Sequence, residues 1–376
     1  MAQARVKYCP RTLRFLSPSR VAKRIAMAGA GQPFYMPLTW PIGHVRSALL
    51  RDPAEEPPRK PTARPDLDLT GHLTSVFGAT RSFCMAYAAI YGLYGNGDYP
   101  AFGRAATLDF NWMWPIILRD VLGTWLICGC WDYFLYFGFG VESLKKKLHK
   151  YKINPKYPSN SQIFHDACVT TLASLCAAAI EIMCCHLWCI GVFPKFEASL
   201  MANPIRNLLW AVTITHWRIP HFWLMHRGMH PWKIGGIPDV GKFLYRHVHA
   251  LHHKSYNPTA WSGTNMHPVE ATAYYSACLI AVPFGCHPAI VLGCIIDCGV
   301  GAWLGHDGFQ WPGSGDYFHQ LHHAHFDCNY GAMHVPIDKW LGTYIGDKSE
   351  LKKVWGNKAC GFEDNDMPVH SEKKEE

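Results

Sequence analysis

At 376 residues the chain is long enough to bury one large core or two smaller ones. Aromatic residues make up 14% of it, and charged residues only 17%, which is below the roughly 25% of ordinary soluble domains. The net charge of +8 is modest and the basic residues form no stripe interleaved with aromatics, which argues against a nucleic-acid-binding protein. The apolar residues gather into long blocks. This distribution predicts an all-α, polytopic membrane helical bundle with a polar, histidine-rich domain.

The first 70 residues are predicted to be a basic, proline-rich and disordered arm. Residues 1–51 contain nine Lys and Arg and no Asp or Glu, as in an organelle transit peptide or a cytosolic basic tail. Residues 52–66 are rich in proline and charge, which is typical of a disordered linker.

Residues 71–215 are predicted to hold transmembrane helices. Their apolar blocks cover about 73–94, 112–141, 163–193 and 205–225. Arg81 interrupts the first block, and Arg119, Asp120 and Asp132 interrupt the second. Because isolated charges are costly inside a membrane, we expect those of the second block to pair or to face the protein interior.

A further apolar block covers about 271–304, and the sequence PFGCHP at 283–288 breaks it, which indicates a turn between two shorter spans. Such a hairpin returns the chain to the membrane face that it left, so the polar segments on either side share one face. Residues 347–376 form a charged tail, in which Lys373 and Lys374 match the dilysine retrieval signal of endoplasmic-reticulum membrane proteins. That signal works on a cytosolic tail and argues against a transit peptide.

Fifteen cysteines raise the question of disulfides. Most of them lie inside apolar blocks, where cysteine acts as a small hydrophobe. Their spacings match neither a secreted disulfide framework nor a zinc ribbon. A reducing compartment for the polar domain fits this usage, although a disulfide-bonded alternative stays open.

Histidines concentrate between residues 216 and 334, which hold 16 of the 22 in the chain. Three clusters stand out: HRGMH at 226–230, HALHH at 249–253 and HQLHH at 319–323. Their spacings of i, i+4 or i, i+3, i+4 put each cluster on one face of a helix, where imidazoles can converge. Two single histidines sit in similar polar settings, His267 in MHPVE and His306 in GHDGF.

Neutral imidazole is a ligand for zinc, copper, iron and nickel. Eight clustered histidines and two single ones make ten, which is too many for one ion, so the count predicts two metals. The chain has no H-E-x-x-H and no Cys-x-x-Cys, which argues against a zinc hydrolase. No Glu-x-x-His accompanies the clusters, which argues against a ferritin-like di-iron site. His165, His186 and His287 are expected to be ordinary core residues.

The ordered pieces HRGMH, YRHVHALHH, MHPVE, HDGF and HQLHHAHFDCNYG, closed by PIDKWLGTY, resemble the fatty acid hydroxylase and sterol desaturase superfamily over about 216–346. The HRG and HDG pieces look most like sterol C-5 desaturases (lathosterol oxidases). Sterol C-4 methyl oxidases and sphingolipid or fatty acid hydroxylases share the same boxes. The superfamily usually has an acidic residue and a Tyr-Trp pair before the first box. This chain reads RIPHFWLMHR there, with Arg218 or His221 in the region instead.

The resemblance implies a non-haem di-iron site at the cytosolic face of an endoplasmic-reticulum helical bundle, with O2 as co-substrate. The ligands that it implies are His226, His230, His249, His252, His253, His267, His306, His319, His322 and His323. Polar residues that would orient these imidazoles are Glu270, Asp307, Asp316, Asn329, Tyr330 and Asp338. His247, His325 and His334 lie near the boxes but off the pattern, so we expect them beside the ligands or at the surface.

The activity implied is oxidation of an unactivated C–H bond of a lipid, most simply a sterol, which gains a C-5 double bond or a hydroxyl group. No flavin or haem motif is visible, so electrons would come from cytochrome b5 and its reductase. Sterol C-4 methyl oxidation and sphingolipid or fatty acid hydroxylation are alternatives. A membrane metal transporter is a different class, but transporters place their ligands within the spans, whereas these boxes lie beside them. Intact boxes also argue against an inactive lipid-binding scaffold.

Overall fold

The computed structural model describes part of the chain, namely residues 69–95, 98–153, 158–196, 198–232, 237–255, 257–311 and 315–346. The predicted arm and linker at 1–66 and the dilysine tail lie outside the described residues. Within the described ranges the chain is helical, and extended backbone pairs in an isolated antiparallel bridge between Lys152 and Phe309. The all-α class is confirmed for this part of the chain.

The α-helices are named α1 to α10 in chain order. They are Leu69–Tyr94, Phe110–Phe137, Glu142–His149, Asn160–Cys189, Pro204–Gly228, Val240–His247, Pro268–Tyr275, Pro288–Leu304, Asp316–His325 and Ile337–Trp340. Short 3₁₀ segments connect several of them. One of these, His249–Lys254, carries the second histidine cluster. The spacing of this cluster predicted an α-helix, but the segment is a 3₁₀ helix.

Local sequence determines where the helices begin and end. Asp109 caps α2 by accepting a hydrogen bond from the Asn111 backbone N–H at 2.7 Å. Proline opens α5, α7 and α8, where a missing N–H leaves no partner unsatisfied. Gly138 ends α2 with a φ of 54°, and a Cβ there would lie 2.6 Å from the Lys145 nitrogen. Only glycine fits that turn.

Two helices of the described part are long and apolar enough to cross a membrane, judged by length and composition. They are Phe110–Gly140 and Ser161–Cys189, with mean hydropathies of 1.3 and 1.9. Both coincide with predicted blocks. Leu118, Leu122 and Leu126 lie four residues apart on α2 and are exposed, so they form an apolar stripe on the outer face of that helix.

The predicted hairpin over 271–304 differs from a pair of spans in its first half. The chain leaves α7 at Tyr275 and continues through two 3₁₀ segments, Ser276–Ile280 and Val282–Phe284. These segments are too short to cross a bilayer, for which about 20 helical residues are needed. The second half forms α8, which is largely buried and packs along α1.

Charged residues inside α2 and α4 pair with each other. The Arg119 guanidinium donates to Asp120 Oδ1 at 2.7 Å and to Glu181 Oε1 at 3.0 Å. The Tyr99 hydroxyl donates to the same Glu181 oxygen at 2.8 Å. The expected pairing of Arg119 and Asp120 is thus present, and it includes an acid from the neighbouring helix.

The helices bring distant histidines to one end of the bundle. His226 lies in the last turn of α5, and His306 follows the end of α8 by two residues. The 3₁₀ segment with the second cluster and helix α9 with the third cover that end, and their histidines are buried.

Candidate metal centre

The histidine nitrogens form two buried groups. The first histidine group contains His226, His230, His249, His253 and His322. The second histidine group contains His252, His306, His319 and His323. Within each group, one nitrogen from every residue lies within 4.8 Å of the others. The structure therefore brings nine of the ten sequence-predicted ligands together, in two sets.

The second and third clusters each divide between the two groups, whereas both histidines of the first cluster lie in the first group. Residues four apart stay together, as His319 and His323 do in the second group, while His322 joins the first. In an α-helix a residue four positions on is rotated by about 40° and one three positions on by about 60° in the other direction, so they point to different sides. The third cluster therefore bridges the two groups, and so does the second through His252.

The spacing of the nitrogens fits ligands of a shared ion. His226 Nε2 and His253 Nε2 each lie 3.0 Å from His249 Nε2. In the second group, His306 Nε2 lies 3.2 Å from His252 Nε2 and 3.1 Å from His323 Nε2. Two imidazole nitrogens bound at about 2.1 Å and at right angles to one another would be about 3.0 Å apart.

Several nitrogens of these groups are buried without a hydrogen-bond partner among the described residues. They include both ring nitrogens of His230 and the Nε2 atoms of His319 and His322. A buried polar atom with no partner is costly, and a cation would supply the missing interaction. The donor set fits a metal that prefers imidazole.

Four imidazoles of these groups donate their Nδ1–H to a fixed acceptor, which directs Nε2 toward the group. Each of these hydrogen bonds is 2.7 Å long. The acceptors are Glu270 Oε1 for His249 and main-chain carbonyls for the rest: Tyr330 for His226, Ala302 for His306 and Cys328 for His322. Such partners fix the tautomer and raise the basicity of a ligand.

Burial lowers the pKa of all nine imidazoles, because the charged form is poorly solvated inside the protein. The pKa of His249 falls to about 3 and that of His306 to about 4. Neutral imidazole is the form that binds a metal. The site therefore holds its histidines ready for coordination at physiological pH.

Three of the predicted polar residues build the turn after the third cluster. Asp338 accepts hydrogen bonds from the backbone N–H groups of Tyr330 and Gly331 at 2.8 and 2.7 Å. Asn329 adopts a φ of 55° and donates to the Phe318 carbonyl at 3.1 Å. These contacts hold the Tyr330 carbonyl where His226 reaches it.

Asp307 and Asp316 are buried in other settings. Asp307 accepts hydrogen bonds from the indole N–H groups of Trp131 and Trp311 at 2.9 and 3.2 Å. It therefore joins α2 to the segment after α8 and does not contact a ligand imidazole through these bonds. Asp316 opens α9 and lines a small cavity beside the second histidine group.

His267 is the predicted ligand that lies outside both groups. It precedes α7 and caps that helix, since its Nδ1 accepts a hydrogen bond from the Val269 N–H at 3.2 Å. Of the histidines off the pattern, His247 is exposed and His325 is half-buried. His334 lines a cavity that reaches both histidine groups.

Sequence reasoning missed Asp166, a buried acid in α4. Its carboxylate accepts hydrogen bonds from Ser255 Oγ at 2.9 Å, Ser262 Oγ at 2.8 Å and Asn265 Nδ2 at 3.0 Å. These donors follow the second cluster directly, so Asp166 anchors the loop that carries it. The local signal was weak, namely an acid near the start of an apolar block.

One cavity reaches both histidine groups. Its volume is about 270 Å³, and its wall includes His226 and His249 of the first group and His252, His306 and His319 of the second. Apolar residues supply much of the remaining wall, among them Phe222, Met225, Met266, Leu304 and Phe318. A buried apolar chamber beside two sets of imidazoles suits an apolar ligand that reacts at a metal.

The fold and the site thus define a helical protein with a candidate two-metal histidine centre under an apolar cavity. Residues 208–343 match the fatty acid hydroxylase family model. This part of the chain is therefore similar to that family, and the resemblance predicted from its motifs is confirmed.

The chain is also similar to characterised sterol enzymes. It is 24% identical to human cholesterol 25-hydroxylase over 245 residues, which cover 61% of this chain and 77% of that protein. It is 27% identical to rat lathosterol oxidase over 166 residues, or 41% of this chain and 49% of the relative. It is 24% identical to the Delta(7)-sterol 5(6)-desaturase of Candida dubliniensis over 269 residues, 64% of each chain. No solved structure matches the chain.

Proposed function

We propose that this chain is an O2-dependent, non-haem di-iron oxidoreductase that oxidises an unactivated C–H bond of a sterol. The observation that carries the proposal is the pair of histidine groups on one apolar cavity. The fatty acid hydroxylase match and the sterol-oxidising relatives support the reaction class and the lipid. Both C-5 desaturation and hydroxylation are represented among these relatives.

Each histidine group would hold one iron. The first would use His226, His230, His249, His253 and His322, and the second His252, His306, His319 and His323. When bound, the irons supply the dioxygen chemistry that removes hydrogen from an unactivated carbon, which side chains alone cannot perform. His267 is not part of this proposed ligand set, because it caps α7.

The chain itself contributes orientation and exclusion of water. Glu270 holds the Nδ1 proton of His249, and the Tyr330 carbonyl holds that of His226, so the Nε2 atoms of both face the centre. A lipid in the largely apolar cavity would displace water from the centre. Asp338, Asn329 and Tyr330 act through the turn that they stabilise.

Electrons and location complete the proposal. Two electrons per turnover would come from cytochrome b5 and its reductase, since the sequence offers no motif for a bound flavin or haem.

We place the protein in the endoplasmic-reticulum membrane as a multi-pass bundle, with α2 and α4 as spans. The histidine groups and the C-terminus would face the cytosol, in line with the dilysine sequence of the tail.

Oxidation of a 4-methyl sterol is a second candidate, because the chain is also 25% identical over 125 residues to chicken methylsterol monooxygenase 1. It requires the same centre and the same cavity. The two candidates differ in the carbon that the cavity presents, so a product analysis separates them. Hydroxylation of a sphingoid base or fatty acyl chain is the remaining alternative.

Expression in yeast lacking its own sterol C-5 desaturase tests the proposal, with sterols profiled by mass spectrometry. The matched variant is His322→Ala/His323→Ala, which removes one ligand from each group. His247→Ala, at an exposed position, is the control. A new ring-B double bond, a hydroxysterol or an oxidised 4-methyl group, formed by the intact chain and the control only, would support sterol oxidation. Unchanged sterols with about two metal ions bound per chain would reject it and direct attention to sphingoid and acyl products.

A further inference from the structure

The wall of the main cavity contains a buried ion pair at a distance from the histidines. Arg218 on α5 and Asp297 on α8 lie 2.9 Å apart, Nε to Oδ2, and both line the cavity. Ser82 on α1 donates a hydrogen bond to the other Asp297 oxygen at 3.3 Å. Three helices therefore converge on this pair, in a wall whose other charged residues are Arg81 and Glu270.

A pair of this kind is unusual in a lipid cavity, because removing two charges from water is costly and hydrophobic residues of similar size would often serve stability better. Gly301 supplies the space for it, since a Cβ there would lie 3.3 Å from Arg218 Nη1. The side chains of Arg218 and Asp297 keep 18% and 9% of their accessible surface. They can therefore reach a molecule in the cavity.

We propose that the Arg218–Asp297 pair binds the 3-hydroxyl group of a sterol and so selects the carbon that reaches the metal centre. This inference rests on the proposed function and names the polar contact of its substrate. A hydroxyl group can accept from the guanidinium and donate to the carboxylate at the same time. A carboxylate or an ammonium group would meet a like charge in one member of the pair.

Arg218 and His226 lie on the same helix and both line the cavity. Arg218 precedes His226 by eight residues on α5, so their backbones are about 12 Å apart at about 1.5 Å per residue. The pair and the first histidine group are therefore two separate contact points for one molecule in the cavity.

A hydroxyl group held at the pair would fix the position of the sterol ring system relative to the histidines that line the same cavity.

A binding measurement tests the inference without turnover. The full chain, purified in lipid nanodiscs, is titrated with dehydroergosterol and with its 3-deoxy analogue, and energy transfer from tryptophan to the sterol reports binding. We expect the intact protein to bind the hydroxyl form about tenfold more tightly, as one charge-assisted hydrogen bond allows. Equal affinities would overturn the inference.

The test variant is Arg218→Met/Asp297→Leu, because replacing both partners with apolar residues leaves no unpaired buried charge and preserves folding. It should reverse the preference, since the hydroxyl group would then enter an apolar site. Arg81→Met is the matched control, because Arg81 also lines the cavity but lies outside the pair; it should keep the preference of the intact protein. A double variant that retains the preference would overturn the inference. Displacement of the sterol by oleate in the intact protein but not in the double variant would also overturn the inference.

The two proposals fail separately. If the intact chain oxidises no sterol in yeast, sterol oxidation is rejected whatever the binding preference. If it oxidises sterols while binding the two analogues equally, the role of the ion pair is rejected and the function stands.

Discussion

Glu270 accepts a hydrogen bond from Nδ1 of His249 at 2.7 Å, and both side chains are buried. The contact fixes His249 with its Nε2 in the first histidine group, 3.0 Å from the Nε2 atoms of His226 and His253. One carboxylate therefore orients an imidazole that lies close to two others of that group.

Replacing this carboxylate should weaken metal binding. In Glu270→Gln the amide either keeps a weaker hydrogen bond or turns its NH2 group toward Nδ1, so we expect roughly a 10- to 100-fold loss of affinity at the first group. Titration of the metal-free protein with Fe(II) under anaerobic conditions measures it. Glu142→Gln, on an exposed side chain, is the control. Unchanged affinity would show that Glu270 does not orient the ligand.

The two groups should lose their ions independently. His230→Ala removes a ligand of the first group and His319→Ala one of the second, so each variant should retain about one ion of the two expected. His267→Ala should retain both, because that residue caps α7. Metal analysis by mass spectrometry after purification gives the count. Loss of an ion in the His267→Ala variant would show that His267 is a metal ligand.

Asp166 should be essential for the geometry of the second cluster. Asp166→Asn keeps the shape but replaces three charge-assisted hydrogen bonds with weaker ones, at a cost of about 3 kcal/mol. We expect the thermal midpoint to fall by roughly 5 °C or more. Asp98→Asn is the comparison, since the Asp98–Arg104 ion pair is exposed and contributes little. Equal midpoints for the two variants would contradict the anchoring role.

The metal-free protein should lose stability in mild acid. Because burial lowers the pKa of His249 to about 3 and of His306 to about 4, below about 6.5 the unfolded chain binds more protons than the folded one. The free energy of unfolding therefore falls as the pH drops from about 6.5 toward these values. Above about pH 6.5 these two groups do not change the free energy of unfolding. Thermal midpoints between pH 7.5 and about 5 measure the slope. A flat profile in the intact protein would refute the prediction.

The spacing of the histidines was sufficient to predict that they converge, because i, i+3 and i, i+4 positions share a helix face. It was not sufficient to predict the division into five and four, which depends on how α9 and the segment at 249–254 are docked against α5 and α8. His267 shows the limit of motif transfer: a histidine before a proline-opened helix is equally suited to capping it.

Residues that act across the fold were harder to find. Asp166 lies near the start of the apolar helix α4 and Asp297 lies within the apolar helix α8, and nothing in their local sequence indicates their partners. Asp297 lies 79 positions from Arg218 in the chain yet pairs with it across two helices. The acid that pairs with Arg218 comes from α8 and not from the segment before the first box.

Three of the four acceptors that orient ligand imidazoles are peptide carbonyls, those of Ala302, Cys328 and Tyr330. Every amino acid carries such a carbonyl, so substitutions at these positions can leave the contact intact. An alanine scan would pass over them and record only Glu270. The arrangement of the centre therefore depends mainly on the path of the main chain. An insertion or deletion in the turn at 326–331 should be far more damaging than a point mutation there.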